Sequence, residues 1–178
     1  MLPNLLLLSL SFLFSVPERP YAGQQERAIK SLSEEEVEAY RQGSGVGFAK
    51  AAELNHYPGP KHVLELSAEL GLDADQEART KKVYDAMHAE AVRLGRAVLD
   101  KEKSLDDLFA KASVTPASLG QSVEEIARLQ GALRAAHLAA HLEMKQVLKP
   151  EQIAKYDALR GYGSGNTAAQ NNHSPHAH

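Results

Sequence analysis

Two stretches of the sequence decide the fold: VYDAMHAEAVRLGRAVLDKEKSLDDL at residues 83–108 and LGQSVEEIARLQGALRAAHLAAHLEMKQVL at residues 119–148. In the first stretch, residues that recur mostly three, four or seven positions apart form a stripe: Val83, Met87, Ala91, Leu94, Val98, Leu105 and Leu108. In the second they are Leu119, Val123, Ile126, Leu133, His137, His141, Met144 and Leu148. Such spacing places side chains on one face of an α-helix. The sequence therefore predicts two long amphipathic helices.

A short turn joins the two predicted helices. Within Val114–Ala117, Thr115 suits the N-cap position and Pro116 suits the first helical position, where its missing N–H is not needed. Helices joined by so short a turn lie antiparallel, because each then covers the apolar stripe of the other. With Leu108 facing Leu119, the register brings His137 close to Glu90. The predicted fold class is all-α, a long antiparallel helical hairpin with short flanking helices.

Short helices are expected on both sides of the hairpin. We predict one at residues 49–54, which the prolines and glycine of residues 55–60 must end, and a second at residues 62–70. Asp73 suits the N-cap of the first long helix. A last short helix is predicted at residues 153–159.

The first 22 residues predict a signal peptide. Leu5–Val16 is apolar apart from its serines, and it is shorter than the roughly 20 apolar residues that span a bilayer. We therefore expect export to the periplasm. The predicted divisions of the chain are a signal peptide (1–22), a flexible lead-in (23–47), a helical hairpin domain (48–162) and a disordered, histidine-bearing tail (163–178).

Composition narrows the chemistry that the chain can perform. A net charge of -3 does not favour binding to nucleic acid, and the absence of cysteine rules out thiolate metal ligands and cysteine nucleophiles. The pair His137 and His141 lacks the following glutamate that acts as general base in zinc-protease helices. The glycines of residues 43–47 do not follow a strand, as a dinucleotide-binding loop would. We predict a protein that is not an enzyme and has no organic cofactor.

The hairpin register suggests a metal site instead. Histidines four residues apart share a helix face, so His137 and His141 can reach one ion. The predicted donors are His137, His141 and Met144 of the second helix with Met87, His88 and Glu90 of the first. Thioether and imidazole donors suit copper or nickel, and a carboxylate also allows zinc or cobalt. The alternative interpretation is that both histidines are neutral residues of the core.

Five segments resemble one known superfamily. Leu72–Gln76 and Leu148–Gln152 are similar to the two LTxxQ boxes of the periplasmic Spy/CpxP-type proteins, with aspartate or lysine at the usual threonine position. His56–Leu66, Leu133–His141 and Lys155–Tyr162 resemble the heavy-metal sensor and resistance branch of that superfamily. The resemblance covers residues 48–162 and implies a curved four-helix hairpin, often dimeric and periplasmic.

The resemblance implies binding of nickel, cobalt or copper through His, Glu and Met, with a report to a membrane-bound signalling partner. His137 and His141 match the ligand positions of the family's C-terminal helix, and His56 and His62 join them only if the short N-terminal helix folds back. The first functional hypothesis is therefore a periplasmic metal sensor or metal-resistance protein, working as a homodimer.

The alternative hypothesis is an ATP-independent periplasmic chaperone or envelope-stress adaptor, the role of the superfamily's other branch. Its clients would be unfolded proteins, held on a mixed basic and apolar surface. The basic residues considered for that surface are Lys81, Lys82, Arg93, Arg96, Arg128 and Arg134. The same charges suit a solvated helix face equally well, and a purely structural adaptor role also stays open.

Overall fold

A computed structural model describes residues 20–162 of the chain. The elements are one 3₁₀ turn (Gln24–Glu26) and seven α-helices: α1 (Glu34–Arg41), α2 (Lys50–Glu53), α3 (Pro60–Glu65), α4 (Ser67–Leu70), α5 (Ala74–Ala110), α6 (Pro116–Val147) and α7 (Pro150–Leu159). The described part is all helical, as predicted. The predicted tail and all but the last three residues of the predicted signal peptide lie outside the described residues. No helix among those residues combines the length and apolarity that crossing a bilayer requires.

Helices α5 and α6 form the predicted hairpin, 37 and 32 residues long. Asp73 caps α5 through the backbone N–H of Gln76, and Thr115 caps α6 through that of Ser118. These caps satisfy N–H groups that would otherwise lack partners at the helix start. Pro116 stands at the start of α6. The start and end points of both long helices therefore follow from local sequence signals.

The hairpin is held by an apolar seam in which Ala91, Leu94 and Val98 of α5 pack against Leu129 and Leu133 of α6. These pairs lie in the register predicted from the turn. Burial of aliphatic side chains stabilises such a seam by about 1.5 to 3 kcal/mol for each residue. The seam thus fixes which residues of α6 lie opposite each turn of α5.

Near the turn, the predicted stripe of α6 is wrong. Val123 is 50% exposed and Leu119 is 38% exposed. The face of α6 that contains Leu129 and Ile126 continues through Ser122 and Ser118, which are half-buried. An ideal helix turns 100° per residue, so Leu119 and Val123, each one residue beyond a half-buried serine, are rotated by about 100° away from the face that packs on α5.

A second apolar cluster closes the other end of the hairpin. Met144 and Tyr156 are fully buried there against Val63 of α3. Below them, the side-chain amide of Gln76 donates to the side-chain oxygen of Gln152 at 2.8 Å, with both residues buried. These are the glutamines of the two LTxxQ-like boxes, so the boxes join the start of α5 to the start of α7.

The segment 23–47 differs from the flexible lead-in that we expected. It contains α1, which Ser33 and Glu36 begin with a reciprocal capping box. Ile29 and Leu32 bury against Leu99 of α5. Polar, charged and glycine residues outnumber the few apolar side chains that bind this segment to α5, so no sustained apolar pattern indicates the contact.

Gly95 is the position that permits this docking. A Cβ atom placed on Gly95 would lie 2.1 Å from the carbonyl oxygen of Tyr40 in α1. No nonbonded carbon atom can approach an oxygen so closely, so α1 packs on α5 only where α5 has no side chain. Gly131 of α6 is also helical, but its Cβ would meet open space.

We expect Gly95→Ala to displace α1 and to lower the free energy of unfolding by about 1 to 3 kcal/mol, as overpacking does. The matched control Gly131→Ala should raise it by up to about 1 kcal/mol, because alanine favours helix. Urea unfolding measures both changes, and hydrogen exchange of residues 34–41 reports the displacement. A Gly95→Ala protein as stable as the control variant would contradict the close approach.

Candidate functional site

A cavity of about 990 Å³ lies where the segment 41–62 folds back over α5 and α6. Six residues with possible metal-donor atoms line it: Glu53, His62, Met87, His88, His137 and His141. The N-terminal helices therefore fold back over the hairpin. This was the condition for counting His62 among the candidate metal ligands. His56 lies outside the lining and its Nδ1 pairs with Asp157 at 2.7 Å.

His141 has a fixed tautomer. Its Nδ1 lies 2.7 Å from the carbonyl oxygen of Tyr57. A carbonyl only accepts hydrogen bonds, so Nδ1 carries a proton and donates it, and in the neutral ring Nε2 then holds the lone pair that can accept a metal ion. Gly59 makes room for this edge of the ring, since a Cβ there would lie 3.3 Å from Nε2 and 3.0 Å from Cε1.

His137 lies one helical turn before His141 and is 6% exposed. Its Nε2 is buried and has no hydrogen-bond partner within residues 20–162. Its Nδ1 faces Gly45, where a Cβ would lie 3.7 Å away. Burial, and then the neighbouring His141 and His88, lowers the pKa of His137 below the usual 6.5. The ring is therefore neutral at pH 7, with a lone pair available for a ligand.

Glu53 is a donor that sequence reasoning missed. Its side chain is 13% exposed, and its Oε2 lies 3.7 Å from Nδ1 of His141. Its Oε1 accepts a hydrogen bond from the hydroxyl of Tyr156 at 2.5 Å and lies 3.6 Å from Nε of Arg160. Burial and the Glu53 carboxylate raise the pKa of Tyr156, so this hydroxyl stays protonated and donates.

The α5 side of the cavity contributes His88 and Met87, as predicted from the register. His88 donates from Nε2 to the carbonyl oxygen of Gln42 at 3.0 Å, so in the neutral ring the lone pair lies on Nδ1. Its ring stacks on Tyr84 with 5.5 Å between the centroids. Met87 also packs against the hairpin seam.

The structure does not bring Glu90 and Met144 into this lining. Glu90 points to solvent and accepts two hydrogen bonds from Arg93, while Met144 is fully buried in the apolar cluster. Residues at helical spacing share a face that is wider than one metal site. Spacing alone therefore did not distinguish the residues that line the cavity from those buried in the core beside it. Within residues 20–162, no three His, Asp or Glu side chains already stand close enough to hold one metal ion. Binding would therefore require side chains of the cavity to turn towards the ion.

Comparison with known proteins gave one family. A family model described as heavy-metal resistance matches residues 37–155, which run from α1 into α7 and include Glu53 and all four histidines of the cavity. Neither the curated proteins nor the solved structures gave a match.

The lowered pKa of His137 makes stability depend on pH. In the unfolded chain the ring takes up a proton near pH 6.5, whereas the folded protein keeps it neutral to lower pH. Protons then favour the unfolded state, so this contribution is complete above about pH 6.5 and is lost as the pH falls through that value and towards the folded pKa.

We expect the free energy of unfolding to fall between pH 7.5 and pH 5.5 more steeply in the wild-type protein than in His137→Leu, which removes the titrating ring. Urea unfolding at both pH values, without added metal, measures the two slopes. Equal slopes would show that His137 titrates alike in the folded and unfolded states.

Proposed function

The chain belongs to the heavy-metal resistance family, within the Spy/CpxP-like helical superfamily, and we propose that it binds a transition metal ion in the histidine-lined cavity. We further propose that it does so as a periplasmic metal sensor or metal-resistance protein. The observation that carries the proposal is the pair His137 and His141, two buried imidazoles one turn apart on α6 that line the same cavity as Glu53.

The donors fit a borderline transition metal. Imidazole nitrogens from His137 and His141 would hold the ion, with the Glu53 carboxylate as an oxygen donor and the Met87 thioether or His88 beside them. Nickel, cobalt, copper and zinc accept such mixtures. The hydrogen bond from His141 to the Tyr57 carbonyl supports the role of His141, because it orients the ring as partners of metal-bound histidines do.

Location and partners belong to the same proposal. The apolar stretch Leu5–Val16 supports export to the periplasm. A sensor there needs a membrane-bound partner to carry its signal inward, and the hairpin offers long helix faces on which a second copy can pack. Heavy-metal sensing with a homodimer and a signalling partner is thus the full form of the proposal.

The chaperone alternative has one observation in its favour. Phe109, Leu119 and Val123 are exposed apolar residues around the turn of the hairpin, where an unfolded client would find a hydrophobic surface. Its proposed basic surface is less favourable, since Lys81 pairs with Asp85 and Arg93 with Glu90. The metal proposal accounts for more of the polar residues that are buried.

The test is calorimetric titration of the full chain with Ni²⁺ at pH 7.5. His173, His176 and His178 are replaced by asparagine, because histidines of the tail would add a separate signal. We expect His137→Ala and His141→Ala each to weaken binding at least about tenfold, or 1.4 kcal/mol. Helical content by circular dichroism should stay nearly unchanged.

The matched control is His56→Ala, which removes an imidazole on the fold-back segment that lies outside the cavity. It should leave nickel affinity within about twofold. If the tail-substituted protein binds Ni²⁺, Co²⁺, Cu²⁺ and Zn²⁺ no tighter than about 100 μM, the metal proposal is wrong and the chaperone alternative gains weight.

A further inference from the structure

The cavity carries an excess of positive charge. Its lining contains a single carboxylate, Glu53, and five cationic side chains: Arg41, Lys50, Lys61, Arg96 and Arg160. The chain as a whole has a net charge of -3, so this excess is a local property of the cavity. Clefts lined by one sign of charge attract ligands of the opposite sign.

Two of these cations have no carboxylate near them. Arg41, Lys61 and Arg160 each have a glutamate oxygen within 3.8 Å. Lys50 and Arg96 form no ion pair within residues 20–162 and are solvent-exposed at the cavity. They are therefore available to an anionic group of a ligand.

The two available cations line the same cavity as the proposed metal donors. Lys50 is three residues before Glu53 on α2, and Arg96 is two turns beyond His88 on the same face of α5. Residues three or four apart along a helix are neighbours on its surface, and residues eight apart lie on the same broad face. A ligand that contacts both groups must therefore offer metal coordination on one side and anionic oxygens on the other.

Size leads to the same conclusion. A bare metal ion needs only the space among its donor atoms, whereas about 990 Å³ is typical of sites for small organic molecules. A bare dication would also meet the repulsion of the cationic lining. An ion accompanied by carboxylates fills more of the cavity and reverses the sign of that interaction.

We propose that the cavity takes up the metal ion as an anionic complex with a small polycarboxylate. The free carboxylates of the complex bind Lys50 and Arg96, and the imidazoles of His137 and His141 complete the coordination of the ion. This inference rests on the proposed function, and it specifies the chemical form in which the metal arrives.

The test compares Ni²⁺ with the equimolar nickel–citrate complex as titrants of the full chain carrying the three tail substitutions. We expect the complex to bind at least tenfold more tightly than Ni²⁺ alone. If citrate only competed with the protein for nickel, it would withhold the metal and weaken apparent binding, which is the opposite change. Citrate alone and Ni²⁺ with phosphate are titrated alongside.

The double variant Lys50→Gln/Arg96→Gln should lose the gain given by citrate while its affinity for Ni²⁺ alone stays within about twofold or increases. Lys82→Gln/Arg128→Gln is the charge-matched control, since both residues are exposed and outside the lining, and it should keep the gain. Retention of the gain by the first variant would overturn the assignment to Lys50 and Arg96.

Three further results would overturn the inference. Weaker binding in citrate would do so while leaving the proposed function intact, because Ni²⁺ alone still binds. Citrate binding equally well without nickel would exclude a metal complex, and an equal gain from phosphate would assign the cations to inorganic oxyanions. Binding of the bare ions no tighter than about 100 μM would contradict the proposed function itself, by the criterion given above.

Discussion

The apolar seam between α5 and α6 is the constraint on which the other features depend. Ala91, Leu94 and Val98 pack against Leu129 and Leu133, and this register determines that His137 and His141 lie level with Met87 and His88. A slip of one residue would rotate α6 by 100° and turn the histidines away from the cavity. Metal binding at the proposed site is therefore tied to the integrity of the hairpin.

The fold-back segment, residues 41–62, supplies the part of the site that the hairpin alone does not. It contributes the Tyr57 carbonyl that orients His141, the space at Gly59 and the carboxylate of Glu53. Glu53 is at the same time the acceptor for Tyr156 of α7. A metal ion on Oε2 of Glu53 would withdraw charge from the carboxylate whose Oε1 accepts from Tyr156, so occupancy of the proposed site would be coupled electrostatically to the contact between α2 and α7. The proposed sensor role requires such a coupling between the bound ion and the conformation of the protein.

The sequence allowed the hairpin, its caps and its register to be predicted, because Asp73, Thr115 and Pro116 act locally and the stripe spacing carries the rest. The predicted register also placed His137, His141, His88 and Met87 close together, and all four line one cavity. Glu53 could not be found in this way, since its place depends on tertiary contacts made 88 and 103 residues further along the chain, at His141 and Tyr156. The docking of α1 was hidden for a similar reason: it depends on a missing side chain at Gly95, and an absence leaves no apolar signal.

The central claim is that His137 and His141 bind one metal ion together, and X-ray absorption at the nickel edge tests it most directly. The full chain with the tail histidines replaced by asparagine would be loaded with one equivalent of Ni²⁺. At least two imidazoles should appear in the coordination shell, and His137→Ala and His141→Ala should each remove one of them. A shell of oxygen donors alone, or one that is the same in both variants as in the parent protein, would contradict the claim.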